Sequence, residues 1–190
     1  MSKLHVITGV SNRHIHLSRA DWEVLFGPSK EIEPLKPLRQ PGQYATQQTV
    51  TLIGPKGSLQ KVRVLCPLRE QSQVELSVTD TYTLGLHPCF RQSGDLAGSQ
   101  GLTVAGPCGT LELKEGAIVA LRHLHMDPET AAQYGLRDQQ YVCATVEGER
   151  AVCFEQVLVR VSDKFVPEFH VDTDEANGAD LHTGDLVTIC

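Results

Sequence analysis

The segment Arg13-His14-Ile15-His16-Leu17 returns as Arg122-His123-Leu124-His125-Met126, and this duplication limits the folds open to the chain more than any other feature. Each copy is followed by a helix-start signal: Ser18 before Arg-Ala-Asp in the first, Asp127-Pro128-Glu129 in the second. A further match lies downstream of each. Residues 62–79 align without gaps on residues 157–174, and in that register Glu75 falls on His170. Leu52-Ile53-Gly54-Pro55-Lys56-Gly57 likewise echoes Val104-Ala105-Gly106-Pro107-Cys108-Gly109. A duplicated pattern calls for two similar substructures, and the repeat taken alone places the cut between them near residue 115.

Short valine-rich runs punctuated by glycine and proline read as strands at 49–53, 61–65, 74–78, 102–105, 117–121, 141–146 and 157–161. Helical signals are few. One helix is expected over 21–26, ended by Gly27-Pro28, and another from Asp127 as N-cap with Pro128 in the first turn, ending near Gly135. Many short strands with few helices predict a mostly β chain of barrels or a sandwich. Residues 27–47, rich in proline and glutamine, read as an irregular excursion. A length of 190 residues suffices for one medium domain or two small ones.

A formal charge of −6 without a basic cluster argues against a sequence-independent grip on nucleic acid, which needs many phosphate contacts. No apolar run approaches the roughly 18 residues of a membrane span, and no secretory signal is readable at the start. A reducing, cytoplasmic setting without membrane attachment is expected. In that setting the six irregularly spaced cysteines, with no Cys-x-x-Cys among them, are expected to be free and buried.

In a strand, residues i and i+2 share a face, so His14 and His16 can reach one ion together, and His123 and His125 another. Two imidazoles joined by Glu75 in one half, or by His170 in the other, make a three-ligand set that leaves a coordination position open, as in catalytic zinc sites. Iron, cobalt, nickel or manganese suit the same donors. His5, His87 and His182 lack such support and read as structural or exposed. Arg69, six residues before Glu75, can reach the same site and hold a phosphate in two-pronged fashion. The small, glycine-rich run Ser93-Gly94-Asp95-Leu96-Ala97-Gly98-Ser99 can set Ser93 and backbone N–H groups against an anion, although a plain turn fits it as well.

Together the run from Gly9-Val10-Ser11-Asn12 through His16-Leu17-Ser18, then Gln40-Pro41-Gly42-Gln43, Arg91-Gln92-Ser93-Gly94, Arg122 to Met126 and His170-Val171-Asp172-Thr173-Asp174-Glu175-Ala176-Asn177 resemble the PduL-type phosphotransacylases. The resemblance runs from about residue 7 onward. It implies reversible transfer of an acyl group, usually propanoyl and often acetyl, between coenzyme A and phosphate by way of the acyl phosphate. It implies two Zn2+: one held by His14, His16 and Glu75, with a fourth position for the coenzyme A sulfur, and one held by His123, His125 and His170. Arg69 would bind phosphate and act in catalysis, and Ser93 would also contact phosphate. The implied fold is two β-barrels capped by short helices. Residues 1–12 would join 121–190 in one barrel and 13–120 would form the other, with the active site between them. The resemblance further implies a homodimer. Members enclosed in bacterial microcompartments often carry an N-terminal amphipathic extension. Only about eight residues precede the Gly-Val-Ser-Asn motif, so a cytosolic enzyme is expected, free or enclosed without that tag. The residues themselves leave two other readings open: a dinuclear metallohydrolase using water in place of phosphate, and a cupin-like metal-binding protein without activity.

Overall fold

The fold is that of a computed structural model, which describes residues 3–190. Among the described residues the order begins β1 (Leu4–Ser11), β2 (His14–Ser18), α1 (Arg19–Phe26), β3 (Pro34–Pro37), β4 (Tyr44–Ile53), β5 (Ser58–Arg69), β6 (Gln73–Glu75), α2 (Val78–Leu84), β7 (Phe90–Arg91) and β8 (Gln100–Ala105). It continues with β9 (Thr110–Ala120), β10 (His123–Met126), α3 (Pro128–Tyr134), β11 (Tyr141–Val146), β12 (Val152–Val161), β13 (Glu168–Asp172), α4 (Thr173–Ala179) and β14 (Leu186–Ile189).

The chain divides into two compact units: Arg13–Ala120, and residues up to Asn12 together with Leu121–Cys190. Each is a six-stranded barrel with short helices, which agrees with the two capped barrels that the family resemblance implies. In the second unit the ring runs β1, β13, β10, β12, β11, β14 and closes on β1. In the first it runs β4, β5, β2, β6, β9, β8 and closes on β4. The rings match strand for strand. β2 is parallel to β5 and antiparallel to β6, as β10 is parallel to β12 and antiparallel to β13. β9 is parallel to β6 and antiparallel to β8, as β1 is parallel to β13 and antiparallel to β14. β1 and β9 are therefore counterparts, yet each closes the ring built from the other sequence copy. This is why the cut suggested by the repeat alone falls inside β9.

Each ring wraps its own apolar core. Ile15, Leu17, Trp22, Val64, Val74 and Val104 fill one; Leu124, Met126, Val157, Val159, Phe169 and Val187 fill the other. Each such side chain, once buried, contributes about 1.5–3 kcal/mol, enough to hold costly polar groups on the opposite strand face.

Three local expectations need correction. The strand expected over 74–78 stops at Glu75, because Ser77 accepts the Asp80 N–H and Asp80 accepts the Ser77 N–H in a capping box that starts α2. The excursion at 27–47 is not wholly irregular: β3 pairs with the first part of β4, Pro34 opposite Thr46. The two Gly-Pro motifs, finally, both lie in the Arg13–Ala120 barrel, at the β4–β5 and β8–β9 hairpins, and so do not mark one repeat each. Their shared job is to cap helix ends. Lys56 N–H donates to the Leu84 carbonyl at the end of α2 (3.0 Å), and Cys108 N–H to the Leu25 carbonyl near the end of α1 (2.9 Å). A Cβ on Gly54 or Gly106 would come within 2.3 or 2.5 Å of those same carbonyls.

Candidate active site

The strand period sorts β2 by chemistry. Ile15 and Leu17 turn inward and are fully buried in the core, so His14 and His16 turn to the other face. His14 lies opposite Glu75 on β6. There His14 Nε2 is 3.5 Å from Glu75 Oε2, and His16 Nε2 is 4.0 Å from Oε1. All three ligand atoms lie within 4.8 Å of one another. Burial, then the neighbouring His14 and Arg69, hold the His16 imidazole well below its usual pKa, so it offers a lone pair and not a charge. Burial alone would raise the Glu75 carboxyl; His14, by charge and hydrogen bond, with His16 and Arg69, brings it well below the usual carboxylate range.

Arg69 closes this site. Its Nη2 donates to His16 Nε2 (2.8 Å) and its Nη1 to Ser93 Oγ (3.1 Å). Ser93 Oγ in turn donates to Glu75 Oε1 (3.1 Å). Gln73, 1% exposed, ties the group together: its amide nitrogen donates to Glu75 Oε1 (2.5 Å) and Ser93 Oγ (2.8 Å), and its Oε1 accepts the Gly94 N–H (2.9 Å). A guanidinium thus already stands against the imidazole lone pair and beside the carboxylate. A donor set that draws in a cation this way fits a divalent metal ion.

The second set repeats the plan. Leu124 is fully buried, and His123 and His125 flank it on the opposite face, with His170 across from His123 on β13. The rings of His123 and His170 stack at 4.9 Å, and His125 is 4.6 and 4.7 Å from them. Their ligand atoms again lie within 4.8 Å of one another. His123 Nδ1 donates to the Leu121 carbonyl (2.7 Å), a bond that fixes the orientation of the ring. Glu168, two residues before His170 and 4% exposed, places Oε2 2.8 Å from His170 Nε2, out of line for a hydrogen bond. Three imidazoles gathered around a buried carboxylate fit a divalent cation there as well. These two sets are the candidate metal groups among the described residues.

Ser93 therefore faces the first set, whereas the backbone of its loop does not. The N–H groups of Gly94, Asp95, Gly98 and Ser99 bond to Gln73, Gln92, Glu115 and Leu96, so the run is built of turns. His5, His87 and His182 lie outside both sets and are exposed. Sequence reading passed over Gln73 and Glu168, and also Arg160. Arg160 pairs with His125 across β12 and sits 5.6 Å from the Phe165 ring, which packs on His125 at 4.1 Å. A lone arginine inside the apolar run Val157-Leu158-Val159-Arg160-Val161 was the available signal. The free cysteines also differ from expectation: only Cys66 is buried, while Cys108, Cys153 and Cys190 are exposed.

The profile of the phosphate propanoyltransferase family matches residues 7–182. The chain belongs to the phosphate propanoyltransferase family. It is 55% identical over 185 residues to the phosphate propanoyltransferase of Thermotoga maritima, covering 97% of this chain and 88% of that protein. The Rhodopseudomonas palustris phosphate propanoyltransferase is 52% identical, with 97% and 82% covered, and that of Salmonella arizonae 51%, with 92% and 85%. Membership makes the chain an enzyme, a phosphotransacylase, with coenzyme A and phosphate in its chemistry. No helix among the described residues is long and apolar enough to cross a membrane.

Proposed function

We propose that this phosphotransacylase interconverts propanoyl-CoA plus phosphate with propanoyl phosphate plus coenzyme A, accepts acetyl as well, and uses two divalent metal ions, zinc foremost. The observation that carries the reading is the pair of matched three-ligand sets, one of them bound to Arg69 and Ser93. In this reading His14, His16 and Glu75 hold one ion, and His123, His125 and His170 hold the other. Such ions supply acidity to a coordinated thiol or water and neutralise charge building on carbonyl and phosphate oxygens.

The chain's own residues do the rest. Arg69 presents a fixed fork of donors to phosphate, and Ser93 adds a hydroxyl beside it. When phosphate engages Arg69, the guanidinium gives up its bond to His16, which frees that lone pair. Glu75 stays ionised and His16 neutral, the states that ligation requires. Ser93 is not a nucleophile in this scheme. Its proton goes to Glu75, and its lone pairs accept from Arg69 and Gln73, so the acyl group passes between thiol and phosphate without an acyl-enzyme.

The test is coenzyme A release from propanoyl-CoA with and without phosphate, on protein whose metal has been counted. Phosphate-dependent release with two ions per chain is expected. Release without phosphate would make the chain a thioester hydrolase, and activity without metal would remove the two ions from the reading. A homodimer in the cytosol, free or enclosed by a microcompartment shell, belongs to the same proposal. Family resemblance alone supports it; light scattering and co-purification with shell proteins test it.

A further inference from the structure

The second barrel carries a thiol cluster away from its histidines. Cys143 on β11 and Cys190, just past β14, face each other across an antiparallel pair: the N–H of each donates to the carbonyl of the other at 3.0 Å. Residues opposed in this way have Cα atoms about 5.5 Å apart, inside the roughly 4.4–6.8 Å that a disulfide spans. Their Sγ atoms are 2.6 Å apart. Cys190 is exposed and Cys143 half-buried, so both are open to reagents. A third thiol stands near: Thr145 Oγ1 lies 3.4 Å from Cys190 Sγ and 3.9 Å from Cys153 Sγ.

We propose that Cys143 and Cys190 form a redox-modifiable site, closing to a cross-strand disulfide by exchange with a low-molecular-weight disulfide. The roles of the two thiols differ. Cys190 is the more exposed of the two, and its hydrogen bonds with Cys143 and Thr145 pull its thiol down, while the contact with Cys190 pushes the Cys143 thiol up to about 12. Cys190 is therefore the attacking thiolate. It forms a bond to one sulfur of the small disulfide and expels the other half as a thiol. Cys143 then loses its proton to solvent, attacks Cys190 Sγ and releases the second half. Two protein thiols are oxidised, one small disulfide is reduced to two thiols, and the barrel is stapled between β11 and β14. Coenzyme A disulfide, the oxidised form of the family's own thiol substrate, belongs to this class of oxidant.

The experiment treats reduced full-length protein with oxidised glutathione and reads intact mass and a peptide map. A loss of about 2 Da, a Cys143–Cys190 linkage and reversal by dithiothreitol are expected. Cys143→Ser should retain one glutathione on Cys190, since the resolving thiol is gone, and Cys153→Ser should behave as wild type. The bond should also raise Tm, by roughly 5–15 °C for a loop of this length. A linkage to Cys153, a stable glutathione adduct on wild type, or no thiol loss would each overturn the proposal.

Discussion

Gln73 and Glu168 hold the same place in the two barrels: Gln73 lies opposite His16 between β6 and β2, and Glu168 lies opposite His125 between β13 and β10. Both are buried, and each precedes the third member of its trio by two residues, on the same strand face. The first trio thus has its carboxylate in the set, as Glu75, with a neutral amide beside it. The second has three imidazoles in the set and the carboxylate beside it. Each site holds one acid, partly buried Glu75 in the first and buried Glu168 in the second, so a divalent ion would meet one carboxylate at each but a different donor set.

Gln73 is expected to orient its site. Gln73→Leu leaves the Gly94 N–H without its acceptor and removes a donor from both Glu75 and Ser93. Unmade bonds at buried groups cost about 1–3 kcal/mol, and lost support for ligands typically weakens metal binding by about 10–100-fold. Zinc competition against a chromophoric chelator, with urea unfolding alongside, checks both. Wild-type zinc affinity in the variant would leave Gln73 a packing residue only.

The Glu168 carboxylate depends on a missing side chain. A Cβ on Gly9, which pairs with His170 on β13, would lie 2.7 Å from Glu168 Oε1. Gly9→Ala should destabilise the barrel by about 1–3 kcal/mol, as overpacking does. In a Glu168→Ala background the obstacle is gone, so the same change should cost much less. Additive effects in this double-mutant cycle would show that the two positions do not meet.

The four histidines of the two His-x-His pairs were legible because strand period and duplication are both sequence-level signals. Helices α1 and α3 were legible from Ser18, Gly27, Asp127 and Pro128. Helices α2 and α4 were not: Ser77 and Asp172 cap them directly after strand residues, and the valines of Val74 and Val78 read as one run. Gln73 was invisible for a chemical reason, since a neutral amide bears no mark of catalysis until its partners are known. The facing of Cys143 and Cys190 depends on how β11 meets β14, which no local pattern encodes. The strand exchange is of the same kind. β1 and β9 resemble each other, and only pairing decides which ring each closes.

Arg69 should matter to rate more than to folding. Its two prongs reach different partners, Ser93 Oγ and His16 Nε2, which a lysine cannot reproduce. Arg69→Ala is expected to lose about 2–4 kcal/mol of transition-state stabilisation, roughly 30–1000-fold in kcat. Arg69→Lys should recover phosphate KM more than kcat. A near-normal rate for the alanine variant at saturating phosphate would remove Arg69 from the reacting centre.

Metal withdrawal should separate the two sets. If each binds an ion, chelation removes a ligand that favours the folded state. At free metal 1,000-fold above Kd, the loss is about 4 kcal/mol, worth roughly 8–16 °C in Tm for a chain of this size. His170→Ala should lower the metal count from two to one. It should also speed hydrogen exchange in β10 and β13 while leaving β2 and β6 protected, because each trio is built within one ring. Glu75→Gln should do the reverse, sparing β10 and β13. Equal loss of protection in all four strands from either variant would mean that the two sites do not load independently, and a count that stays at two would mean that the altered residue is not a ligand.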